Sequence, residues 1–529
     1  MKRILLVFLT TLTPYFLLAQ EEEIRLDDKF NEWFQPISDA WGSIIFYSVN
    51  ISEGVSVPLV IILLLTAGLI FTILFKFINI RKFSTAINTV RGKYSDIDTH
   101  TADRNAMVLQ DDGDIKGTIK DESKEGEVSH FQALTAALSG TVGLGNIAGV
   151  AIAISLGGPG ATFWMIIAGL LGMSSKFVEC TLGVKYRDIS AEGKVFGGPM
   201  YYLSKGLKES GKATLGKILA VMFAIMCVGG SFGGGNMFQA NQAAQQFNSM
   251  IGTTSTWAGV GFGIVMSVLV AVVIIGGIKR IAKITERVVP FMVGIYFIAS
   301  IIILFVHGGQ LGNVFKQIIE GAFNPQGIAG GILGVLVIGF QRAAFSNEAG
   351  VGSAAIAHSA VKTKYPASEG IVALLEPFID TVIVCSLTAF VIIVTNGDGS
   401  IMQYGVKAPD GVLATSKAFE SVLPWFPYIL TIAVILFALS TMLSWSYYGL
   451  QSWMYLFGKS KLSDYSYKVV FCLFIIIGAA VSLGAVTDFS DAMIFAMAVP
   501  NLIGCFILFP KVREELVKYL KAIKKKNSD

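Results

Sequence analysis

The sequence predicts an all-α polytopic membrane protein of about eleven transmembrane helices, ten of them forming a core of two inverted five-helix repeats. Three observations carry this. Of the 529 residues, 53% are hydrophobic and 15% are charged, where soluble domains carry about 25% charged residues; the mean hydropathy is +0.64. Apolar runs recur that reach the roughly 20 residues needed to cross a bilayer. Two of these runs, far apart in the chain, are interrupted at matching places by small and polar residues.

Residues 1–20, MKRILLVFLTTLTPYFLLAQ, have a basic start (Lys2, Arg3), an apolar centre and Ala19 ahead of Gln20. This is the pattern of a secretory signal peptide; Pro14 and the short apolar run weigh against a retained transmembrane helix. Residues 21–53, acidic from Glu21 to Asp28, then form a periplasmic segment. An extra transmembrane helix spans 54–78. Lys76, Arg81, Lys82, Arg91 and Lys93 at its end place that end in the cytoplasm. Residues 79–130 make a cytoplasmic linker. Its acid-rich part, 94–129, is too short and polar for a core of its own and reads as a flexible or small β-containing insertion.

Core helices one to ten follow at about 131–156, 161–185, 216–247, 256–278, 286–306, 327–358, 369–395, 425–457, 466–485 and 489–510. Positive charge tests this list. Lys185, Arg187 and Lys194 follow helix two, and Lys279, Arg280, Lys283 and Arg287 follow helix four. Lys362 and Lys364 follow helix six, Lys459 and Lys461 helix eight, and Lys511 and Arg513 helix ten. The opposite connections are short or poor in Lys and Arg, Lys316, Lys407 and Lys417 apart. A wrong helix count would spoil this alternation. Five helices per set is an odd number, so the second set, 327–510, enters from the side opposite to the first, 131–306. The basic tail, 511–529, is either an amphipathic helix on the anionic membrane surface or a solvated segment.

The first interruption is Gly140-Thr141-Val142-Gly143-Leu144-Gly145-Asn146 in core helix one; the second runs from Gly339 to Gly352 in core helix six. Glycine costs roughly 1 kcal/mol against alanine inside a helix. A helix broken in a membrane frees backbone groups that protein, water or a ligand must satisfy. The free N–H groups of one half-helix suit a carboxylate, and free carbonyls suit Na⁺ or an ammonium. Paired breaks therefore point to a midplane site for a small solute and an ion. Gly143-Leu144-Gly145-Asn146-Ile147-Ala148 also fits a dinucleotide-binding fingerprint, but no strand precedes it and no acid lies about 20 residues on. A nucleic-acid partner is not expected from a net charge of only +4.

Core helix three carries Asn236 and Gln239 at i, i+3, on one helical face. They either line the solute pocket or bond between helices. Core helix eight carries Ser440 and Thr441, which either bond back to the preceding turn or join carbonyls of the first break in an oxygen cage for a hard cation. Charges in membrane segments are costly and point to function: Arg342, Glu348 and Asp380, with Glu376 one turn before Asp380. Glu348 either carries an ion or proton, or anchors the broken backbone or pairs with Arg342. Lys176 and Glu179, at i, i+3, form an expected structural pair. The five cysteines lie in apolar segments without metal-ligand spacing, and neither a catalytic cluster nor a filter loop is present to suggest an enzyme or a channel.

The stretch from Phe131 through GTVGLGNIAGVAIAISLGGPGATFWM, with GNMFQANQ, FSNEAGVGSAAIAHSA, FIDTVIVCSLTA and STMLSWSYYG, resembles the alanine or glycine:cation symporter family over about residues 125–510. The resemblance implies a LeuT-like core with discontinuous helices one and six and one extra N-terminal helix. It implies sodium-coupled uptake of small neutral amino acids, alanine or glycine, across a bacterial inner membrane, with Na⁺ as coupling ion and no other cofactor. By motif, Thr141, Gly145, Asn146 and Gln239, joined by Asn236, Ser346 and Asn347, are candidates for the solute pocket. Thr441 and Ser440, with backbone near Gly140 and Val142, are candidates for sodium. Proton coupling through Glu348 and a transporter-derived amino-acid sensor are the alternatives.

Overall fold

The structure, a computed structural model, describes residues 26–52, 55–99, 126–190, 193–253, 255–325, 330–406, 411–481 and 483–528. The expected signal peptide, 1–20, and residues 100–125 of the acidic insertion lie outside the described residues. Helix α1 (Leu26–Ile45) leads through an antiparallel hairpin, β1 (Ser48–Ser52) and β2 (Val55–Pro58), into α2 (Leu59–Leu74). Helix α3 (His130–Thr141) starts on a capping box. Ser129 accepts from the Gln132 N–H at 3.2 Å and the Gln132 side chain accepts from the Ser129 N–H at 3.1 Å, so two otherwise orphaned donors are satisfied. Helix α4 (Ala148–Gly157) continues beyond the first break, bent by 56° from α3.

Then come α5 (Ala161–Lys185), α6 (Ala213–Met250), α7 (Thr256–Ile274), α8 (Gly277–Val306), α9 (Gly331–Asn347) and the short α10 (Ala354–His358). The chain ends with α11 (Pro366–Thr395), α12 (Phe426–Phe457), α13 (Lys461–Ala480) and α14 (Leu483–Ser528). Among the described residues eight helices are long and apolar enough to cross a membrane, and the bent α3–α4 pair brings this to nine. Helices α2 and α9 are shorter apolar helices of 16 and 17 residues. The chain is a multi-pass membrane protein. Two irregularities have no counterpart in the sequence reading: π-helical turns at Gly233–Met237 in α6 and Phe378–Cys385 in α11.

Helices α7 and α13 pack on each other and show lipid-ready faces, with Val265, Val268, Val469 and Leu473 more than half exposed. The breaks lie in the buried interior: every residue from Ala133 to Ala151 is buried. Short helices Ile78–Arg81 and Phe83–Val90 dock on the bundle, Phe83 packing on Phe378 with ring centroids 4.8 Å apart. The basic tail is a helix with an apolar stripe and exposed lysines. It extends α14, and its apolar stripe packs on protein: Tyr519 is fully buried against Tyr94 and Tyr365, and Thr89 lies 3.1 Å from its hydroxyl. All five cysteines are free thiols, four of them buried.

Candidate functional site

The first break is held by side chains from other helices. α3 stops at Thr141, Gly143 is extended, and Leu144–Asn146 form a single 3₁₀ turn. Asn146 folds back so that its side-chain oxygen accepts from the Gly143 N–H at 2.9 Å. The Leu144 N–H donates to Gln239 Oε1 on α6 at 3.0 Å, while Gln239 Nε2 donates to the Gly234 carbonyl of the π turn at 2.9 Å. The backbone that the break frees is thus satisfied by amides, as burial in a membrane requires. Beyond the break, the Ile147 carbonyl accepts from Thr415 at 3.1 Å.

The second break is joined to the first through Asp380. α9 ends at Asn347, and Glu348 takes a left-handed conformation (φ +55°). The π turn of α11 turns the Asp380 carboxylate toward both breaks. Asn146 Nδ2 donates to it at 2.7 Å, Ser346 Oγ at 2.9 Å and Thr381 Oγ1 at 2.7 Å. Asn347 donates to Thr381 at 2.8 Å and accepts from the Ala349 N–H at 2.9 Å. A β-carbon built on Gly145 would sit 3.4 Å from the Ser346 backbone, so the two breaks touch. All of these side chains are buried.

Helix α12 closes the other side of the first break. Ser139 donates to the Ser440 carbonyl at 2.6 Å, and Ser444 to the Ala136 carbonyl at 2.7 Å. Ser440 bonds back to Phe437 at 3.0 Å, the ordinary behaviour of a helical serine. Thr441 does not. Its buried hydroxyl has no hydrogen-bond partner, and it faces Gly143, where a β-carbon would lie 2.3 Å away. Two helical turns further on, the buried Tyr448 hydroxyl is also without a partner and faces Gly140. Orphaned buried hydroxyls are uncommon and cost about 1–3 kcal/mol each. An oxygen-seeking cation at this seam would satisfy them.

Gly145, Asn146, Gln239, Ser346 and Asn347 therefore come together, with Thr441, Gly140 and Val142 beside them. Thr141 turns back on its own helix, 3.4 Å from the Ala137 and Leu138 carbonyls. Asn236 is not brought to the breaks: it donates to the Phe471 carbonyl of α13 at 2.7 Å. The expected Arg342–Glu348 pair does not form. Arg342 pairs with Asp491 on α14, in the wall of a cavity of about 420 Å³ that Ser38 and Asp39 of α1 help to line. Glu348 instead accepts from Trp445 Nε1 at 2.9 Å and from Ser353. Two aromatic residues at the site escaped the sequence reading. The Trp445 ring abuts Gly235, where a β-carbon would be 2.2 Å away, and Phe345 packs edge-on against Phe238 at 5.3 Å. Their position one residue before Ser346 and four after Thr441 was the available signal.

Nor is Lys176 paired with Glu179 as expected. Lys176 Nζ lies 3.0 Å from Glu376 Oε1, and Glu179 accepts from Asn501 at 2.9 Å. The chain of buried charges continues: Glu376 Oε2 is 3.4 Å from His358 Nε2, His358 Nδ1 is 2.6 Å from Glu369, and Glu369 also meets His130. This chain ties the start of α3 to α10, and backbone bonds reinforce it, Glu127 N–H to the Ala360 carbonyl at 2.7 Å and Lys362 N–H to the Val128 carbonyl at 2.8 Å. Replacing one partner strands the other in the interior. Lys176→Met should therefore destabilise the protein by about 3–5 kcal/mol, whereas Lys176→Met/Glu376→Gln should recover much of the loss. Melting curves in detergent measure both; equal loss in the single and double variants would refute the pairing.

A family model described as the sodium:alanine symporter family matches residues 44–529. The sodium/alanine symporter AgcS of Methanococcus maripaludis is 41% identical over 390 residues, 74% of this chain and 83% of that one. The probable sodium/glutamine symporter GlnT of Bacillus subtilis is 32% identical over 464 residues, 87% of each chain. Among solved structures, the crystal structure of MhsT in complex with L-phenylalanine is similar at 17% identity with a TM-score of 0.46, covering 73% of this chain and 99% of that chain.

Proposed function

Because the chain belongs to the sodium:alanine symporter family and is a transporter rather than an enzyme, we propose that it carries a small neutral amino acid, alanine or glycine, into the cell together with Na⁺ by alternating access. The observation that carries the cation half is the buried, unpartnered Thr441 hydroxyl set against Gly143 in a broken helix. In this reading Thr441 and Ser440 supply oxygens to Na⁺ together with backbone near Gly140 and Val142. The amino acid sits where the two breaks touch, among Gly145, Asn146, Gln239, Ser346 and Asn347, with Thr141 at the edge. The broken half-helices offer N–H groups to its carboxylate and carbonyls to its ammonium. Phe345 and Trp445 fill the neighbouring space and favour a small side chain. Asp380 holds the two halves in register; Arg342 and Glu348 have structural parts.

The same proposal includes a LeuT-like 5+5 arrangement with α2 as the extra helix, in a bacterial inner membrane. The outer end then carries α1, and the lysine-rich connections face the cytoplasm. Purified protein in liposomes tests the function: an inward Na⁺ gradient should drive alanine or glycine accumulation. Flux indifferent to the gradient would indicate a channel, binding without uptake a sensor, and uptake driven only by protons would overturn the sodium assignment. Thr441→Ala should raise the half-saturating Na⁺ concentration about tenfold or more, equivalent to about 1.4 kcal/mol, with little change in the ranking of amino acids. An unchanged sodium titration would remove α12 from the cation site.

A further inference from the structure

A second built cavity, of about 530 Å³, lies away from the breaks. Its walls come from Glu127, residues 194–196, residues 275–279 between α7 and α8, the end of α12 and the start of α13. In the orientation proposed above, on which this inference rests, every one of these segments is cytoplasmic. Five lysines line it (Lys194, Lys279, Lys459, Lys461 and Lys468) against two acids, Glu127 and Asp464. Both acids are already engaged. Glu127 accepts from the Val195 N–H at 2.9 Å, and Asp464 meets Lys468 at 2.7 Å. Lys459 is stacked over the Phe196 ring at 3.7 Å, and desolvation holds its ammonium below the usual lysine range.

The floor of the cavity is polar. Tyr447 and Gln451, 4% and 5% exposed and one helical turn apart, face each other there and have no hydrogen-bond partner outside the pair. Turned to a ligand, the phenol can donate to an acceptor oxygen and the amide oxygen can accept from a hydroxyl. The cavity is lined by residues other than those of the Na⁺ and amino-acid seam: Thr441, Trp445 and Tyr448 are not in its walls, and Tyr447 is turned about 120° from Thr441 around α12. The rim is apolar and open, with Ile275 61% and Tyr465 57% exposed, beside Leu462 at 80%. Those residues sit at the ends of α7 and α13, the two helices with lipid-ready faces.

We propose that this cavity binds the phosphate headgroup of an anionic phospholipid from the cytoplasmic leaflet. The lysines and the Tyr447 hydroxyl take the phosphate oxygens, Gln451 takes a headgroup hydroxyl, and the acyl chains leave over Ile275, Leu462 and Tyr465. Basic pockets between transmembrane helices on the cytoplasmic side suit such headgroups.

Native mass spectrometry of the full-length protein with phosphatidylglycerol or phosphatidylcholine of matched chains tests this. Wild type should retain phosphatidylglycerol at least tenfold better, a preference in keeping with about fivefold per lysine near an anionic lipid. Lys279→Gln/Lys459→Gln should lose most of that preference, and Tyr447→Phe, which keeps the packing, should lose part of it. Equal retention of both lipids, or unchanged preference in the folded variants, would overturn the proposal. Thermal stabilisation by inorganic phosphate or glycerol phosphate without retention of phosphatidylglycerol would overturn the lipid source. The readout is binding, so a failure of sodium-driven uptake would leave it intact. Cysteine labelling of Lys461→Cys from one side of intact cells separately tests the orientation: labelling from outside would overturn the leaflet assignment.

Discussion

Gly143→Ala should abolish sodium-driven uptake at physiological Na⁺ while leaving the protein folded. Gly143 has φ −133° and ψ −151°, extended backbone that alanine also adopts, so backbone strain does not enter. The effect is steric and local. The new methyl would stand 2.3 Å from Thr441 Oγ1 and 3.1 Å from Gln239 Oε1. Thr441 is β-branched on a helix, and its side chain has few alternatives. Gln239 is held by its bonds to Leu144 and Gly234. The hydroxyl must therefore leave the face it shows to the break. Half-saturating Na⁺ should rise by more than tenfold, at least about 1.4 kcal/mol of binding energy. Gly143→Ala/Thr441→Ala separates crowding from ligation: removing the hydroxyl should restore the melting temperature but not the sodium affinity. Full recovery of both would show that Thr441 is only a packing neighbour, and a wild-type sodium titration in Gly143→Ala would refute the cation seam itself.

The two breaks were legible because membrane helices have little reason to carry clustered glycines, amides and a carboxylate unless something uses them. What the sequence hid was rotation and distance. Asn236 and Gln239 share a face in an ideal α-helix, yet the π turn at Gly233–Met237 changes the winding just there. Asn236 then points at α13 while Gln239 reaches the first break. The same cause explains Asp380, singled out as a buried charge whose partners no local spacing reveals: the π turn at Phe378–Cys385 aims it across the bundle. Lys176 and Arg342 were assigned neighbours in sequence, Glu179 and Glu348. Each pairs instead with a residue on another helix, Glu376 or Asp491, because a buried ion pair needs close geometry that nearness in sequence alone does not supply.

Asp380 is where both halves of the site depend on one carboxylate, so its replacement should be the most damaging at the junction. Its oxygens accept from Asn146 of the first break, Ser346 of the second and Thr381 beside it. Among the described residues no cation forms an ion pair with it, so neutral donors alone stabilise its charge. Asp380→Ala takes the carboxylate from three buried donors, leaving Asn146 the Asp380 main-chain carbonyl at 3.0 Å and Ser346 only the Cys385 sulfur at 3.4 Å, and each donor left unpaired costs about 1–3 kcal/mol. The expected result is a loss of several kcal/mol of stability and no measurable uptake. Asp380→Asn keeps the volume but presents an amide N–H to groups that are themselves donors. The Ser346 hydroxyl can rotate and accept; Asn146 Nδ2 cannot, and Thr381 already accepts from Asn347. Asp380→Asn should therefore fold yet bind alanine and Na⁺ at least tenfold more weakly, because both breaks lose their common register. The sign of the two titrations decides between roles. A shift in sodium alone would make Asp380 a source of field for the cation, a shift in neither would make the junction ornamental, and only a joint shift fits a carboxylate that holds the two broken helices together.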